Sequence, residues 1–341
     1  MKARALLSIL LVAFLCASQA AVAGLAYSGS YRAPDGGLWP PLSHYQPVRD
    51  YLLYVPGSYT RSGSPYPLVV MLHGCRQSAE SFAAGTGMNA LAEQEDFLVL
   101  YPNQHANPIQ CWNWFDGATQ DGAGEAAIIT GMVREIMHQY RVDAARIYVA
   151  GLSAGGGMTS VLVSCYPGVF AAAAIHSGVA YKAAYFANAE LALRRVDASM
   201  PADIAGRRAY ECAKGARLSM PVIVFHGAED KRVVPGHAAQ VIRQFAQTND
   251  YADDGKDNDS VSAASAARRN VYPKGRRPYT VYSYGKGDRV LLQLFMIRGM
   301  GHAWSGGTPV LEGDHYYDPA GPDASQEIWT FFKRHRRAPQ R

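Results

Sequence analysis

From residue 50 onward the chain alternates short apolar runs with longer amphipathic stretches. The runs fall at 51–55, 68–72, 97–101, 147–150, 170–175, 222–225 and 290–297. Several are apolar at every position rather than at alternate ones, as strands covered on both faces are. Between them, residues 78–94, 124–140, 154–164, 237–248 and 324–334 carry helix-like patterning. Strand and helix in alternation predict an α/β fold in one domain, with a mostly parallel central sheet and helices on both faces. The 341 residues suit a single large domain of that kind. Two stretches interrupt the rhythm. Residues 181–220 form an Ala- and Arg-rich insertion with helical character. Residues 249–270, NDYADDGKDNDSVSAASAARRN, are polar and of low complexity, which predicts a flexible surface loop. The aspartates there lack the order of acidic residues, glycine and distal Glu that a calcium loop needs. The basic run at 333–337 complements the negative end of the last helical stretch.

Residues 1–23, MKARALLSILLVAFLCASQAAVA, carry a different pattern. Lys2 and Arg4 precede an apolar run over 5–17, and Ala21-Val22-Ala23 supplies a small-x-small site for cleavage. This is the layout of a secretory signal peptide, leaving a catalytic-sized domain at 24–341. The run is shorter than the roughly 20 residues that cross a bilayer, so export is expected and stable membrane insertion is not. The destination is extracellular or periplasmic. With 48% hydrophobic and 18% charged residues, the chain is no disordered or solvating segment. Removing Lys2 and Arg4 from the 33 basic residues leaves 31 against 28 acidic, too small an excess for a nucleic-acid binder. Past the leader stand Cys75, Cys111, Cys165 and Cys212, which can pair in three ways. An oxidising compartment favours pairing. Sequence neighbours suggest Cys75–Cys111 and Cys165–Cys212, each contributing about 3–4 kcal/mol by restricting the unfolded chain. No two cysteines stand at CxxC spacing, and no metal site is expected.

Gly151-Leu152-Ser153-Ala154-Gly155 follows one apolar run and opens a helix-like stretch. That is the strand-turn-helix context of a nucleophile elbow, where side chains flanking the strained serine would collide. No Lys-Ser/Thr pair follows the glycines, so a phosphate loop does not fit. Asp230 lies just past the run at 222–225, and His302 just past the run at 290–297 in a glycine-flanked loop. The order Ser153, Asp230, His302 suits a triad in which His302 takes the serine proton and Asp230 fixes its tautomer. Glu229 competes with Asp230 for the acid role. The oxyanion of an acyl-transfer reaction needs backbone donors, and Leu72-His73-Gly74-Cys75 ends an early strand where one is supplied. The N–H groups of Cys75 and Ala154 are therefore assigned to it, with His73 orienting the loop. Losing one such donor costs about 3 kcal/mol of transition-state stabilisation. Trp112, Trp114 and Trp304 are the substrate-facing candidates, Trp304 by its place two residues past His302.

LHGCRQ at 72–77, YPNQ at 101–104, CWNWF at 111–115, GLSAGGGM at 151–158, HGAEDKRVVP at 226–235 and GMGHAWSGG at 299–307 occur in that order. Together they resemble the catalytic domain of secreted polyhydroxybutyrate depolymerases, a family that also holds feruloyl and acetylxylan esterases. The resemblance covers residues 48–335. It implies an α/β-hydrolase fold, a serine-esterase mechanism without cofactor, and Ser153, Asp230 and His302 as the triad. Extracellular depolymerases of this type often carry a separate polymer-binding domain after the catalytic one. The sequence given ends at Arg341, so soluble oligoesters or a plant-wall ester become the expected substrates, acted on by a monomer. A non-catalytic polymer- or glycan-binding module on the same fold is the alternative of another class.

Overall fold

A computed structural model describes residues 23–33, 48–286, 289–311 and 314–338. Apart from its last residue, the 1–23 leader lies outside them. Ten strands form one sheet in the order β1-β2-β4-β3-β5-β6-β7-β10-β9-β8. In chain order they are β1 (Leu25–Arg32), β2 (Val48–Val55), β3 (Tyr66–Leu72), β4 (Leu98–Pro102), β5 (Val142–Leu152), β6 (Ala172–His176), β7 (Val222–Gly227), β8 (Ala267–Val271), β9 (Tyr279–Lys286) and β10 (Arg289–Ile297). The six central strands, from β4 to β10 in sheet order, pair in parallel. Both edges are antiparallel.

The apolar runs become the buried centre because neighbouring residues serve opposite faces. Leu68, Val70 and Leu72 of β3 enter one core, and Val69 and Met71 enter the other. The first face is covered by α4 (Gly124–Gln139), α5 (Ala154–Cys165) and α8 (Gly236–Asp254), the second by α1 (Ala79–Thr86), α2 (Met88–Glu95) and α9 (Ala324–Phe332). A short α3 (Gly117–Gln120) precedes α4. The helix patterning at 78–94 resolves into two helices, because Gly87 takes φ 67° and ends the first. The insertion at 181–220 carries α6 (Ala189–Arg194) and α7 (Ala202–Cys212). The span 249–270 is not a loop throughout. Its first residues finish α8 and its last enter β8. Asp250 is buried, and its carboxylate accepts the N–H groups of Asn258 and Ser260 at 3.0 and 2.6 Å, folding the polar stretch back onto α8.

Two disulfides are formed, Cys75–Cys111 and Cys165–Cys212. The first ties the loop after β3 to the segment before α3, and the second ties α5 to α7. Buried histidines fasten further loops at the strand ends. His73 accepts the Gln104 N–H at Nε2 (3.0 Å) and donates from Nδ1 to the Gly74 carbonyl (2.8 Å). His226 donates from Nε2 to the Val233 carbonyl at 2.8 Å. Burial drives the pKa of each down to about 4.

The tightest packing lies where β5 turns into α5. A Cβ on Gly155 would stand 2.1 Å from the Leu72 carbonyl oxygen and 2.7 Å from that of His73. A Cβ on Gly157 would instead meet the Trp114 ring at 2.9 Å. Backbone cannot yield as a side chain can, so Gly155→Ala should destabilise more than Gly157→Ala. The expected cost is about 3 kcal/mol or more for the first and roughly 1–3 kcal/mol for the second. Denaturant midpoints of the two variants check the order, and equal midpoints would contradict it. The histidines generate a second expectation. Their folded pKa lies below the unfolded value of about 6.5, so their contribution is complete above that pH and is lost as pH falls towards 4. The melting temperature should fall across that window, and His73→Gln should remove part of the slope. A melting temperature constant from neutral pH down to about 4 would refute this.

Candidate active site

Because β3, β5, β7 and β10 run parallel, their carboxyl ends meet at one edge of the sheet, where α/β folds bind ligands. Ser153 follows β5 in a strained turn with φ 57° and ψ −116°, a region L-residues seldom occupy. Its N–H donates to the His176 carbonyl at 2.9 Å, which fixes the turn to β6. Asp230 follows β7 and His302 follows β10. His302 Nε2 lies 2.8 Å from Ser153 Oγ, and its Nδ1 lies 2.7 Å from Asp230 Oδ2. The other carboxylate oxygen of Asp230 accepts the N–H groups of Arg232 and Val233, each at 2.9 Å. Burial works to raise the Asp230 pKa, but the hydrogen bond and charge of His302 outweigh it and hold the carboxyl below its usual value. Glu229 is exposed, and the histidine contact belongs to Asp230. The hydrogen-bond pattern leaves His302 Nε2 as the acceptor facing the serine hydroxyl, an arrangement that can make an alkoxide nucleophile.

Cys75 and Ala154 line the cavity in front of Ser153. Ala154 is the first residue of α5, so its N–H has no carbonyl within the helix to bond. The amides around Cys75 are committed elsewhere. Gly74 donates to Gln77 Oε1 at 2.8 Å, and Arg76 donates to the Ile109 carbonyl at 2.8 Å. His73 sits beneath this loop and is wholly buried, consistent with orienting it rather than moving protons.

The cavity holds 390 Å³ and is walled by Ile109, Trp114, Phe115, Val179, Leu193 and Val233, among others. The three tryptophans part ways here. Trp114 lines the cavity, resting on Gly157 and meeting Phe115 edge-on at 5.3 Å. Trp112 is only 1% exposed and packs behind the oxyanion loop against His73 at 5.4 Å. Trp304 is likewise 1% exposed, between His176 and Phe82. Its indole N–H turns away to Ser325 Oγ. The expectation that Trp112 and Trp304 face substrate therefore does not hold, because both rings are used as core.

Two features escaped the sequence reading. The insertion forms part of the cavity wall, contributing Ala189, Glu190 and Leu193. Its α6 is held by His237 Nε2, which donates to the Ala192 carbonyl at 2.8 Å. The other is Glu125, fully buried in the first turn of α4. It accepts from Arg49 Nη2 (3.1 Å), the Asn113 N–H (2.7 Å) and the Gln104 side-chain amide, so it anchors the segment between β4 and α3. Burial pushes its pKa up against the pull of Arg49 and these donors. A Glu inside a helical pattern carries no local sign of such a role. Phe115, which also lines the cavity, was not among the candidates either, although it ends the aromatic CWNWF run.

A wider groove of 810 Å³ lies between the insertion and α8, but no histidine lines it beside its serines. Among the described residues no group of three or more His, Cys, Asp or Glu could hold a metal ion. No described helix is long and apolar enough to cross a membrane.

Residues 49–273 match the family described as esterase PHB depolymerase, a range that includes Ser153 and Asp230 and ends before His302. The chain is 35% identical over 261 residues to poly(3-hydroxyalkanoate) depolymerase C of Paucimonas lemoignei, covering 74% of this chain and 58% of that protein. It is 32% identical over 247 residues to feruloyl esterase B of Neurospora crassa, covering 69% and 77%. Acetylxylan esterase A of Talaromyces purpureogenus is 31% identical over 210 residues, covering 58% and 53%. The chain thus spans little more than half the length of the depolymerase and of the acetylxylan esterase. Among solved structures, an acetyl xylan esterase from Aspergillus awamori superposes with a TM-score of 0.65 at 22% identity, covering 84% of this chain and 94% of that one. A thermostable esterase superposes with a TM-score of 0.53 at 16% identity, covering 92% and 63%. These neighbours share the α/β-hydrolase fold, and the match over residues 49–273 makes this chain a member of the esterase PHB depolymerase family.

Proposed function

We propose that the protein is a secreted serine carboxylesterase that hydrolyses short hydroxyacid polyesters or oligomers. The observation that carries this reading is the continuous relay from Ser153 Oγ through His302 to the buried Asp230, opening on a mostly apolar cavity. Ser153 attacks the ester carbonyl while His302 takes its proton, and Asp230 stabilises the imidazolium that results. The Cys75 and Ala154 N–H groups receive the oxyanion. His302 then returns the proton to the leaving alcohol, and water activated by the same histidine releases the acid and restores Ser153. The disulfides support an oxidising compartment.

The aliphatic walls of Ile109, Val179, Leu193 and Val233 suit an acyl chain that carries small methyl branches. Trp114 and Phe115 favour a second reading, since their rings could stack on an aromatic acid such as a feruloyl group. Product analysis on hydroxybutyrate oligomers, feruloylated arabinoxylan and acetylated xylan, run side by side, separates the two.

Ser153→Ala should lower ester turnover by about 10⁴-fold or more while the circular dichroism spectrum stays unchanged, and Asp230→Asn should lose on the order of 10⁴-fold by leaving His302 in the wrong tautomer. A serine-directed phosphonate should label Ser153. Turnover retained in pure Ser153→Ala protein, or a greater loss in Glu229→Gln than in Asp230→Asn, would overturn the assignment. Opening Cys75–Cys111 should reduce turnover before secondary structure is lost, because the bridge holds the loop that carries a donor N–H. The Cys75→Ser/Cys111→Ser protein should also be less stable, by about 3–4 kcal/mol. Full turnover with both thiols free would show that the bridge does not position the donor.

A further inference from the structure

A second cavity, of 550 Å³, meets the first at the histidine. Arg76, Arg232, His302 and Tyr316 line both, whereas Ser153, Cys75 and Ala154 line only the first. If the esterase reading is right, on which this inference rests, the two spaces divide the substrate. The first holds the acyl carbon and its oxyanion. The second adjoins only the proton carrier, so it receives the group whose oxygen takes a proton from His302, the leaving alcohol.

The charge at this junction is positive. Arg76 and Arg232 are both exposed, and they outnumber Asp314, the carboxylate that lines the second cavity with them. Glu190 pairs with Arg194 at 2.8 Å. Asp314 accepts the Tyr316 N–H at 2.9 Å, and Asp230 is held by His302 and two backbone amides. Among the described residues, neither guanidinium has an ion-pair partner. Their backbones are nevertheless fixed. Arg76 is locked at φ 63° beside the Cys75–Cys111 bridge, with its N–H on the Ile109 carbonyl. Arg232 is fixed through its N–H to Asp230 Oδ1. Two anchored guanidiniums, without an ion pair among the described residues, line the cavity beside the group that protonates the leaving oxygen.

We propose that Arg76 and Arg232 form a carboxylate subsite on the leaving-group side of His302, selecting oligoesters whose last hydroxyacid unit bears a free carboxylate. In a 3-hydroxyacid ester one methylene and one methine carbon separate that carboxylate from the leaving oxygen, so both groups reach neighbouring residues. Arginine suits this ligand because its planar fork can donate two hydrogen bonds to one carboxylate. Cleavage then breaks the bond between the acyl carbon and the leaving oxygen. The acyl group passes to Ser153 Oγ, the serine proton passes through His302 to the leaving oxygen, and the terminal hydroxyacid departs as its carboxylate anion. Water completes the hydrolysis of the acyl-enzyme. Neutral acetylated sugars offer no such charge.

The test compares the 3-hydroxybutyrate trimer as free acid with the same trimer capped as its primary amide. The wild type should favour the acid in kcat/KM by about ten-fold or more, the worth of a charge-assisted hydrogen bond, and should release monomer as the first product. The preference should shrink as salt rises, because the subsite is exposed. In Arg232→Gln and Arg76→Gln/Arg232→Gln the acid-to-amide ratio should fall towards one, and Arg232→Lys should restore part of it. Each ratio is read within one protein, so a general loss of turnover cancels. If the double variant does not fold, Arg232→Gln and the salt series decide the matter. Equal kcat/KM for acid and amide in the wild type, or an unchanged ratio in Arg232→Gln, overturns the subsite and leaves the esterase reading standing. Absence of turnover on every ester tested overturns the esterase reading itself.

Discussion

The contact between the start of α5 and the end of β3 is the constraint on which the rest of the site depends. Gly155 passes so close to the carbonyls of Leu72 and His73 that no side chain fits between them. That approach brings the first turn of α5 beside the loop at Cys75 and sets the two candidate oxyanion donors around one point. It also forces Ser153 into its strained turn, where the side chain leaves the backbone pointing into the cavity. Strain of this kind costs about 1–3 kcal/mol and persists only where the surroundings over-determine it. Here the surroundings are the Ser153 N–H bond to β6, the two cores above and below the sheet, and the bridge at Cys75.

Around this contact the polar groups form layers of support. Asp230 is held by two backbone amides before it meets His302, so the imidazole finds a carboxylate already oriented. His73 bridges Gly74 to Gln104, and Gln104 in turn meets Glu125, which gathers Arg49 and Asn113. The chain of bonds runs from the loop at Gly74 to the buried Arg49 of β2. Such a buried network is costly to break, because removing one member leaves the others unsatisfied. It therefore supplies rigidity where a donor must stay in place through the reaction.

The insertion shows how specificity is separated from catalysis in this fold. The groups proposed for catalysis follow the ends of β5, β7 and β10. Part of the cavity wall comes instead from α6, and the insertion that carries it is held to α8 by His237 and to α5 by the second disulfide through α7. Changing this wall alters what acyl chain fits without disturbing the relay. Arg76 and Arg232 stand with His302 where the two cavities meet, so the proposed leaving-group subsite draws on different residues from those of α6.

What the sequence determined by itself was everything that rests on local pattern. Apolar runs at every position required a two-sided core, and their alternation with helical stretches required a parallel sheet. Ser153, Asp230 and His302 each follow such a run, so placing the strands placed them at one edge. The edge strands β1 and β8 were not legible, since they are mostly exposed and carry no apolar run, as the three consecutive polar residues in ARRNV of β8 show. Nor could local pattern tell which aromatic rings face the cavity. Trp112, Trp114 and Trp304 have similar neighbours in sequence, yet two are core and one is wall, because orientation depends on what packs behind each ring. The same holds for Glu125 and for the insertion. Their partners lie tens of residues away, and only the folded chain brings those groups within hydrogen-bonding distance.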